Sequence, residues 1–184
     1  DACNNVTTAS QTINVIDTTP PTLTTPANKT VECSASVLPA ATGTATGSDT
    51  CGSVAITYTD VEVTGCGNTK TITRTWKATD ACGNATSKNQ TITVVDTTPP
   101  AITKDPSDLY VQCDGAGNTT ELNLWLNNSA GATASDACGS VTWTNNFTTL
   151  SDLCGETGAA TVTFTAIDAC GNKSTRSARF IIED

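Results

Sequence analysis

Apolar and polar side chains alternate with a period of two along much of the chain, which is the pattern of β-strands that bury one face. The clearest stretch is TITRTWKATD over residues 71–80, where Ile72, Trp76 and Ala78 face one side and the threonines face the other. A second copy, ATVTFTAID over residues 160–168, repeats the pattern. Both stretches are predicted to be strands.

Other short runs of this kind predict further strands, separated by Gly, Asn, Asp and Pro. They cover residues 29–33, 54–63, 91–95, 109–113, 141–147 and 178–182. Short strands with a turn about every ten residues, in units of about 80 residues, are typical of an immunoglobulin-like β-sandwich. The predicted fold class is therefore all-β, with tandem immunoglobulin-like sandwich domains.

One segment breaks this pattern and predicts a single short helix in the second half of the chain. It is NTTELNLWLNN, in which Asn118 is placed to cap the helix while Leu122, Trp125 and Leu126 fall on one face. We interpret this helix as a lid over the open edge of the sandwich. The alternative is a ligand platform that uses Trp125.

A second exception is Arg74, which falls on the inward side between Ile72 and Trp76. Charged side chains are rarely buried without a partner. We therefore expect Arg74 to extend toward solvent or to pair with Glu32 or Glu62.

Sequence landmarks recur in the same order, so the chain is a tandem repeat. The motif DTTPP stands at residues 17–21 and 96–100, and an Asp-Ala-Cys turn begins at Asp1, Asp80 and Asp168. The predicted domains are residues 18–96 (repeat 1) and residues 97–184 (repeat 2), with residues 1–17 as the last strand of a preceding repeat. Both ends are expected to be cut from a longer array.

Composition and charge narrow the possible functions. Threonine supplies 39 of the 184 residues, which favours strands, while histidine and methionine are absent. Without histidine, acid–base catalysis would depend on carboxylates alone, so we expect no enzyme. The formal charge of −9 repels nucleic acid and anionic lipid. No run of about 18 apolar residues predicts membrane insertion, and no signal peptide is recognised.

Eight of the nine cysteines fall into two sets of four with similar gaps. The sets are Cys33, Cys51, Cys66 and Cys82, then Cys113, Cys138, Cys154 and Cys170. Metal binding by cysteine usually needs paired CxxC spacings and histidine, and both are missing. Disulfides are therefore predicted, since they stabilise secreted domains that have few aromatic core residues.

Each set of four allows three pairings, and strand geometry selects one. Cys66 and Cys82 bracket one strand of about 30 Å, too far for a bond. Cys51 and Cys82 are expected to meet at the open end of an antiparallel pair, which leaves Cys33 for Cys66. By homology the second repeat is assigned Cys113–Cys154 and Cys138–Cys170. The disulfide partner of Cys3 is expected outside this fragment.

The run TITRTWKATDACGNATSKNQTITVVDTTPP resembles the tandem repeats of giant SprB-type cell-surface adhesins of gliding Bacteroidota and is similar to hyalin-repeat (HYR) modules. The resemblance covers essentially the whole chain, and repeat 2 looks like a longer subtype. It implies a stalk or filament segment of a secreted adhesin, exported by type IX secretion and displayed at the bacterial outer membrane for adhesion or gliding motility. HYR modules commonly lack the cysteine in the Asp-Ala-Cys turn, which this chain has.

Two chemical hypotheses rest on short motifs in the sequence. DTT resembles the O-glycosylation signal of Bacteroidota, so Thr18 and Thr97 are candidate sites of a glycoprotein. The acids Asp17, Asp80, Asp96 and Asp168 are candidates for calcium at the domain junctions, and no other cofactor is expected. The alternative for these acids is a turn in which each hydrogen-bonds its own backbone.

The expected partners are neighbouring repeats of the same array, with lateral self-association and surface glycans or other cells as further candidates. The alternative function is a carbohydrate-binding module, or an ice-binding one that uses Thr71, Thr73 and Thr75. A carboxylate-only hydrolase is the enzymatic alternative, and no pair of acids stands apart from the turns to support it.

Overall fold

A computed structural model describes residues 2–152 and 157–184, without the side chain of Asp152. The strands, in chain order, are β1 (Thr22–Thr24), β2 (Lys29–Glu32), β3 (Thr46–Ser48), β4 (Val54–Thr64), β5 (Lys70–Asp80), β6 (Ala85–Val95), β7 (Ala101–Lys104), β8 (Leu109–Gln112), β9 (Thr133–Ser135), β10 (Val141–Asn145), β11 (Ser151–Asp152), β12 (Gly158–Asp168) and β13 (Lys173–Glu183). The helices are α1 (Pro39–Thr42), α2 (Thr119–Asn127) and a 3₁₀ turn at Ser129–Gly131.

Repeat 1 is built on a four-stranded sheet in the order β2-β6-β5-β4. The long strands β4, β5 and β6 are successive antiparallel neighbours, whereas β2 runs parallel to β6 with Lys29 opposite Ile92. β1 and β3 form a separate antiparallel pair. This pair covers the inner face of the large sheet, where Leu23 of β1 packs with Trp76 and Ala78 of β5.

Repeat 2 has the same plan, with a large sheet in the order β10-β12-β13-β8. β8 again runs parallel to the last strand, and β7 and β9 form the small sheet. β11 adds to β12 beyond β10. The chain is therefore all-β with tandem immunoglobulin-like sandwiches, as predicted from the alternating pattern.

The cores of the two repeats differ in how they fill the inner face of the large sheet. Repeat 2 buries Phe164 and Phe180 there, and Trp125 from α2 packs on both rings at centroid distances of 5.2 and 5.7 Å. Trp125 is 5% exposed, and its indole N–H donates to the carbonyl of Ser107 at 2.9 Å. The predicted helix is thus confirmed; it acts as a lid on the inner face of the large sheet, and Trp125 is a core residue rather than a ligand platform.

The residue predicted to cap this helix, Asn118, makes other contacts than a capping hydrogen bond. Asn118 does stand at the N-cap, but its backbone is left-handed and its side chain makes no capping hydrogen bond. The side-chain amide instead donates to the carbonyl of Gln112 at 2.9 Å and accepts from the N–H of Asp114. Asn118 therefore fixes the loop before the helix.

Repeat 1 places Arg74, which is 1% exposed, at the centre of its inner face. The guanidinium forms a two-pronged pair with Asp60, with both N–O distances 2.8 Å, and also donates to the hydroxyl of Thr42 and the carbonyl of Val37. The expectation that Arg74 pairs with Glu32 or Glu62 is therefore wrong. Asp60 lies directly opposite Arg74 in the β4–β5 register, which is why it is the partner.

The assignment of residues 1–17 to the last strand of a preceding repeat stays a prediction. Residues 4–17 have no regular structure, and Ile13, Val15 and Ile16 are exposed. A strand needs a neighbour to take up its backbone hydrogen bonds, and no described strand pairs with this segment. Neither α-helix in the described part of the chain has the length and apolar character needed to span a bilayer.

Candidate functional site

The most elaborate site in the chain is the junction between the two repeats. We define the N-face of a repeat as the end that carries its second and fourth cysteines, and the C-face as the opposite end. The N-face has Cys51 and Cys82 in repeat 1 and Cys138 and Cys170 in repeat 2; the C-face of repeat 1 has Cys33 and Cys66. The DTTPP linker at residues 96–100 sets the C-face of repeat 1 against the N-face of repeat 2.

Two disulfides cross this junction. Cys33 bonds to Cys138, with Cα atoms 5.7 Å apart, and Cys66 bonds to Cys170, with Cα atoms 5.2 Å apart. The predicted pairs Cys33–Cys66 and Cys138–Cys170 are therefore wrong. Strand geometry correctly placed Cys33 and Cys66 at one end of repeat 1, and Cys138 and Cys170 at the facing end of repeat 2. Each of these four cysteines bonds to a cysteine of the other repeat.

The other predicted pairs have separate outcomes. Cys51 and Cys82 are both exposed and carry no disulfide, so that predicted pair is not formed. Cys154 lies outside the described residues, and the Cys113–Cys154 pairing stays a prediction. The partner expected for Cys3 outside the chain also stays a prediction.

Backbone contacts tighten the junction around the Cys66–Cys170 bridge. The N–H of Asn68 donates to the carbonyl of Cys138 at 2.6 Å. Gly67 has a positive φ of 54°, and a Cβ at this position would collide with the same carbonyl. The Cys-Gly-Asn turn after β4 therefore needs glycine so that the two repeats can approach closely.

Two of the predicted calcium ligands, Asp80 and Asp168, are used inside their own turns. Asp168 accepts hydrogen bonds from the N–H groups of Cys170 and Asn172 and from the Asn172 side chain, all between 2.8 and 2.9 Å. Asp80 does the same with Cys82 and Asn84. Burial raises the pKa of both carboxyls, but these hydrogen bonds outweigh it and hold each pKa below its usual value.

The other two candidates, Asp17 and Asp96, lie in acidic clusters that repeat along the chain. Asp96 gathers with Asp136 and Cys138 at the junction, and Asp17 gathers with Asp49 and Cys51 at the N-face of repeat 1. These ligand atoms lie within 4.8 Å of one another in each group. The sequence analysis missed Asp49 and Asp136. Each precedes the second cysteine of its repeat by two residues, and this shared spacing could have identified them.

Desolvation raises the pKa of Asp96, and the negative charges of Asp136, Asp168 and Glu32 raise it further, against a hydrogen bond from the N–H of Thr98. The ionised form of the Asp96 side chain is therefore disfavoured at the junction. Carboxylate oxygens are the ligands that calcium prefers, and in this cluster Asp96 and Asp136 supply them, whereas the sulfur of Cys138 is bonded to Cys33. Calcium at the junction stays a prediction.

The predicted glycosylation sites lie in the linkers before each repeat. Thr18 and Thr97 are both exposed. The Thr97 hydroxyl donates to a Glu32 carboxylate oxygen at 2.5 Å, and its N–H donates to the other oxygen at 3.2 Å. Thr97 thus links the linker to β2, and glycosylation at either residue stays a prediction.

No family model and no curated protein match this chain. Solved structures show weak similarity. A Drosophila N-cadherin EC1-4 fragment is 12% identical with a TM-score of 0.39, over 90% of this chain and 50% of that one, so this chain spans half of its length. Human mucin-like protocadherin EC1-2 is also 12% identical with a TM-score of 0.39, over 89% of this chain and 97% of that one. The tandem Ig repeats of Dlar reach a TM-score of 0.25 at 15% identity, over 89% and 98% of the two chains.

Similarity this weak assigns no function to the chain. The structure of the chain itself defines its class: it is a tandem array of β-sandwiches joined by disulfides. Disulfides of this kind form in oxidising environments outside the cytoplasm.

Proposed function

We propose that this chain is a stiff segment of a secreted cell-surface adhesin, in which tandem repeats form a stalk or filament. The observation that carries the proposal is the pair of disulfides across the junction. Two bonds that start from Cys33 and Cys66 hold repeat 2 at two separate points, so they oppose rotation about the linker. A rod that transmits force needs this property and requires no active site.

The non-covalent contacts support the same proposal. The linker prolines Pro99 and Pro100 restrict the backbone, and Pro100 is fully buried. The Asn172 side chain donates to the carbonyl of Asp96 at 3.2 Å, which holds the linker against the Asp168 turn of repeat 2. The linker is therefore part of the structure rather than a flexible tether.

The test is a distance measurement between spin labels placed on the two repeats, at Thr57 on β4 and Thr144 on β10. The intact chain is expected to give one narrow distance distribution. A variant with Cys33→Ser, Cys66→Ser, Cys138→Ser and Cys170→Ser should give a broad one, while the matched control with Cys51→Ser and Cys82→Ser should stay narrow. An equally narrow distribution in the fourfold variant would contradict the proposal.

The resemblance to SprB-type adhesins makes the proposal more specific. It adds display on the bacterial outer membrane after type IX secretion, a role in adhesion or gliding, and O-glycans at Thr18 and Thr97. Intact mass of the native protein, with peptides mapped at both threonines, tests the glycans. A mass equal to that of the bare sequence would remove the glycoprotein part and leave the rod unaffected.

Calcium at the junction would act as a further brace between the repeats. Titration with calcium should raise the thermal midpoint of the chain, and Asp96→Asn should reduce that increase. Thr98 keeps its acceptor in this variant, because an asparagine oxygen also accepts its N–H bond. An increase of the same size in the variant would exclude the Asp96 cluster.

A second candidate function, recognition of sugar or ice, is favoured by the outer face of the repeat 1 sheet. Thr71 lies opposite Thr93 and Thr73 opposite Thr91 on the side of β5 and β6 away from the core. Exposed Val61 continues this face on β4. Glycan arrays and ice-recrystallisation assays test it, with Thr73→Lys expected to abolish activity and Thr119→Lys on α2 as the control.

A further inference from the structure

We propose that the open edge of β4 in repeat 1 is a self-association surface, and that its partner is the same edge of a second copy of this chain. The two strands would pair antiparallel about a two-fold axis and join two large sheets into one continuous sheet. The pairing rests on the sheet of repeat 1 and does not depend on the rod function proposed above.

The first support is that β4 is a long edge strand without the usual protection. It stands last in the order β2-β6-β5-β4, and no described strand pairs with its other side. Its eleven residues, VAITYTDVEVT, include no lysine and no proline, and they pair with β5 without a bulge. Such an edge is a template for another strand, because its backbone N–H and C=O groups must bind either water or a new neighbour.

Repeat 2 has the corresponding edge in a protected form. Its edge strand β10 has only five residues, Val141–Asn145. Directly after it, the side-chain oxygen of Asn146 accepts the N–H of Thr163 at 2.7 Å. The edge is interrupted there, before β11 pairs with the start of β12. Of the two repeats, repeat 1 therefore has the edge that is open to a partner.

The second support is that the acidic side chains of β4 are already paired within repeat 1. Both carboxylate oxygens of Asp60 accept hydrogen bonds from Arg74 at 2.8 Å. The ammonium group of Lys70 lies 2.9 Å from Glu62. Neither acid is left unpaired to repel an identical edge, although the whole chain carries a charge of −9.

The third support is a pair of exposed valines on the outer face of this edge. Val61 is 66% exposed and Val63 is 67% exposed. They lie opposite Thr73 and Thr71 of β5, on the side of the sheet away from the core. A further strand beside β4 would cover both valines, and burial of their apolar surface favours the pairing.

Symmetry and charge together select the register. Only a two-fold axis perpendicular to the sheet sets the same edge and the same face of two copies side by side, and it makes the strands antiparallel. An axis at Thr59 pairs all eleven residues and sets Asp60 opposite Tyr58, and Glu62 opposite Ile56, of the second copy. Shifting the axis to position 60, 61 or 62 would set carboxylates directly opposite each other, which is destabilising.

Antiparallel pairing also fixes how the two chains point. β4 runs from the N-face, after Cys51, to the C-face, before Cys66, so the N-face of one chain lies beside the C-face of the other. Stalks anchored in one surface point the same way, so this pairing fits stalks that extend from two facing surfaces. This last step alone rests on the adhesin function proposed above. Several copies of repeat 1 in an array would strengthen the contact by multivalency.

The test is sedimentation velocity of the intact chain over a concentration series. Accessible thiols are first alkylated with iodoacetamide, so that no new disulfide links two chains. The parent is expected to show a reversible equilibrium between monomer and dimer. The association should be weak, since one pair of strands forms a small interface.

Two variants that differ in one side chain test the edge and its register. The first carries Thr57→Lys with Val61→Lys, and the second carries Thr57→Lys with Val61→Glu. Because Thr57 lies opposite Val61 across the proposed axis, the first variant opposes two pairs of lysines, whereas the second opposes lysine and glutamate twice. The dissociation constant of the first should be at least about tenfold higher. Net charge alone would give the reverse, since the first chain is the less negative one.

A control places the same added charge on repeat 2. Thr144→Lys with Thr148→Lys changes two exposed residues and should leave the parent equilibrium unaltered. The thermal midpoint of each variant is measured in the same buffer, and equal midpoints show that the two β4 variants are equally folded.

A parent that stays monomeric throughout the series would overturn the proposal. So would a dissociation constant of the first variant equal to or below that of the second, because association would then use another surface, such as the exposed residues 4–16. The spin-label distances described above are measured on the monomer. Failure of the β4 pairing therefore leaves the rod function standing, and failure of the rod leaves the pairing standing.

Discussion

At the level of single residues, the two repeats fill the inner face of their large sheets with different kinds of side chain. Repeat 1 has Arg74 and Gln90 on the inner face where repeat 2 has Val162 and Ala178. All polar groups of this cluster are satisfied: Gln90 accepts from the Trp76 indole at 3.1 Å and donates to two backbone carbonyls. Hydrogen bonding to Asp60 also raises the pKa of Arg74 against the effect of burial. Such a cluster is stable only while it is complete.

Arg74→Met should therefore destabilise repeat 1 by roughly 2–4 kcal/mol, because it leaves the Asp60 carboxylate without its guanidinium partner and removes the hydrogen bond that the Thr42 hydroxyl accepts. The control is Arg176→Met. Arg176 pairs with Asp105 at 3.0 Å, but both side chains are mostly exposed, so its loss should cost less than about 1 kcal/mol. Chemical denaturation of both variants measures the difference, and equal losses would contradict this account of the core.

Asp168 and Asp96 at the junction should make the stability of the chain depend on pH in opposite directions. Asp168 has a lowered pKa, so its stabilising contribution is present above about pH 4 and is lost as the pH falls through the folded-state pKa. Asp96 has a raised pKa, so its contribution is present below about pH 4 and is lost as the pH rises through that pKa.

Asp168→Asn should lower the thermal midpoint at pH 7, since an asparagine amide would face the Asn172 donor. Asp96→Asn should raise the midpoint at pH 7, because it removes a repelled charge. Scanning calorimetry from pH 3 to pH 7 without calcium compares the two. A decrease in both variants at pH 7 would refute the assigned repulsion at Asp96.

At the scale of elements, the sequence predicted what alternation can encode. Residues 71–80 were predicted as a strand, and β5 covers Lys70–Asp80. Short strands such as β3, with the sequence TGS, were missed because three residues carry no period. The helix α1 was missed because four residues, PAAT, show no apolar face. Tertiary packing, rather than local pattern, determines these elements.

The helix α2 offers a direct test of its role as a lid. Trp125→Ala should destabilise repeat 2 by about 3–5 kcal/mol, because it removes an aromatic ring from Phe164 and Phe180. Leu124→Ala is the matched control on the same helix, since Leu124 is 64% exposed and its loss should cost less than about 1 kcal/mol. Thermal unfolding separates the two variants. A similar small effect for both would contradict the lid.

At the scale of the whole molecule, the junction could be predicted only in part. The placement of Cys33, Cys66, Cys138 and Cys170 at the facing ends of the two repeats followed from spacing and strand direction, and their oxidation to disulfides was predicted correctly. Their pairing did not follow, because spacing within a repeat is the same whether the bonds close inside it or cross to its neighbour. The signal that was missed was Gly67, whose lack of a side chain marks a close approach between the repeats.

Peptide mapping of the unreduced chain shows directly whether the two repeats are joined covalently. After cleavage before aspartate, Cys33 lies in peptide 17–48, Cys66 in 60–79, Cys138 in 136–151 and Cys170 in 168–183. The two disulfides of the structure predict that 17–48 is linked to 136–151 and that 60–79 is linked to 168–183. Linkage of 17–48 to 60–79, together with 136–151 to 168–183, would contradict this prediction.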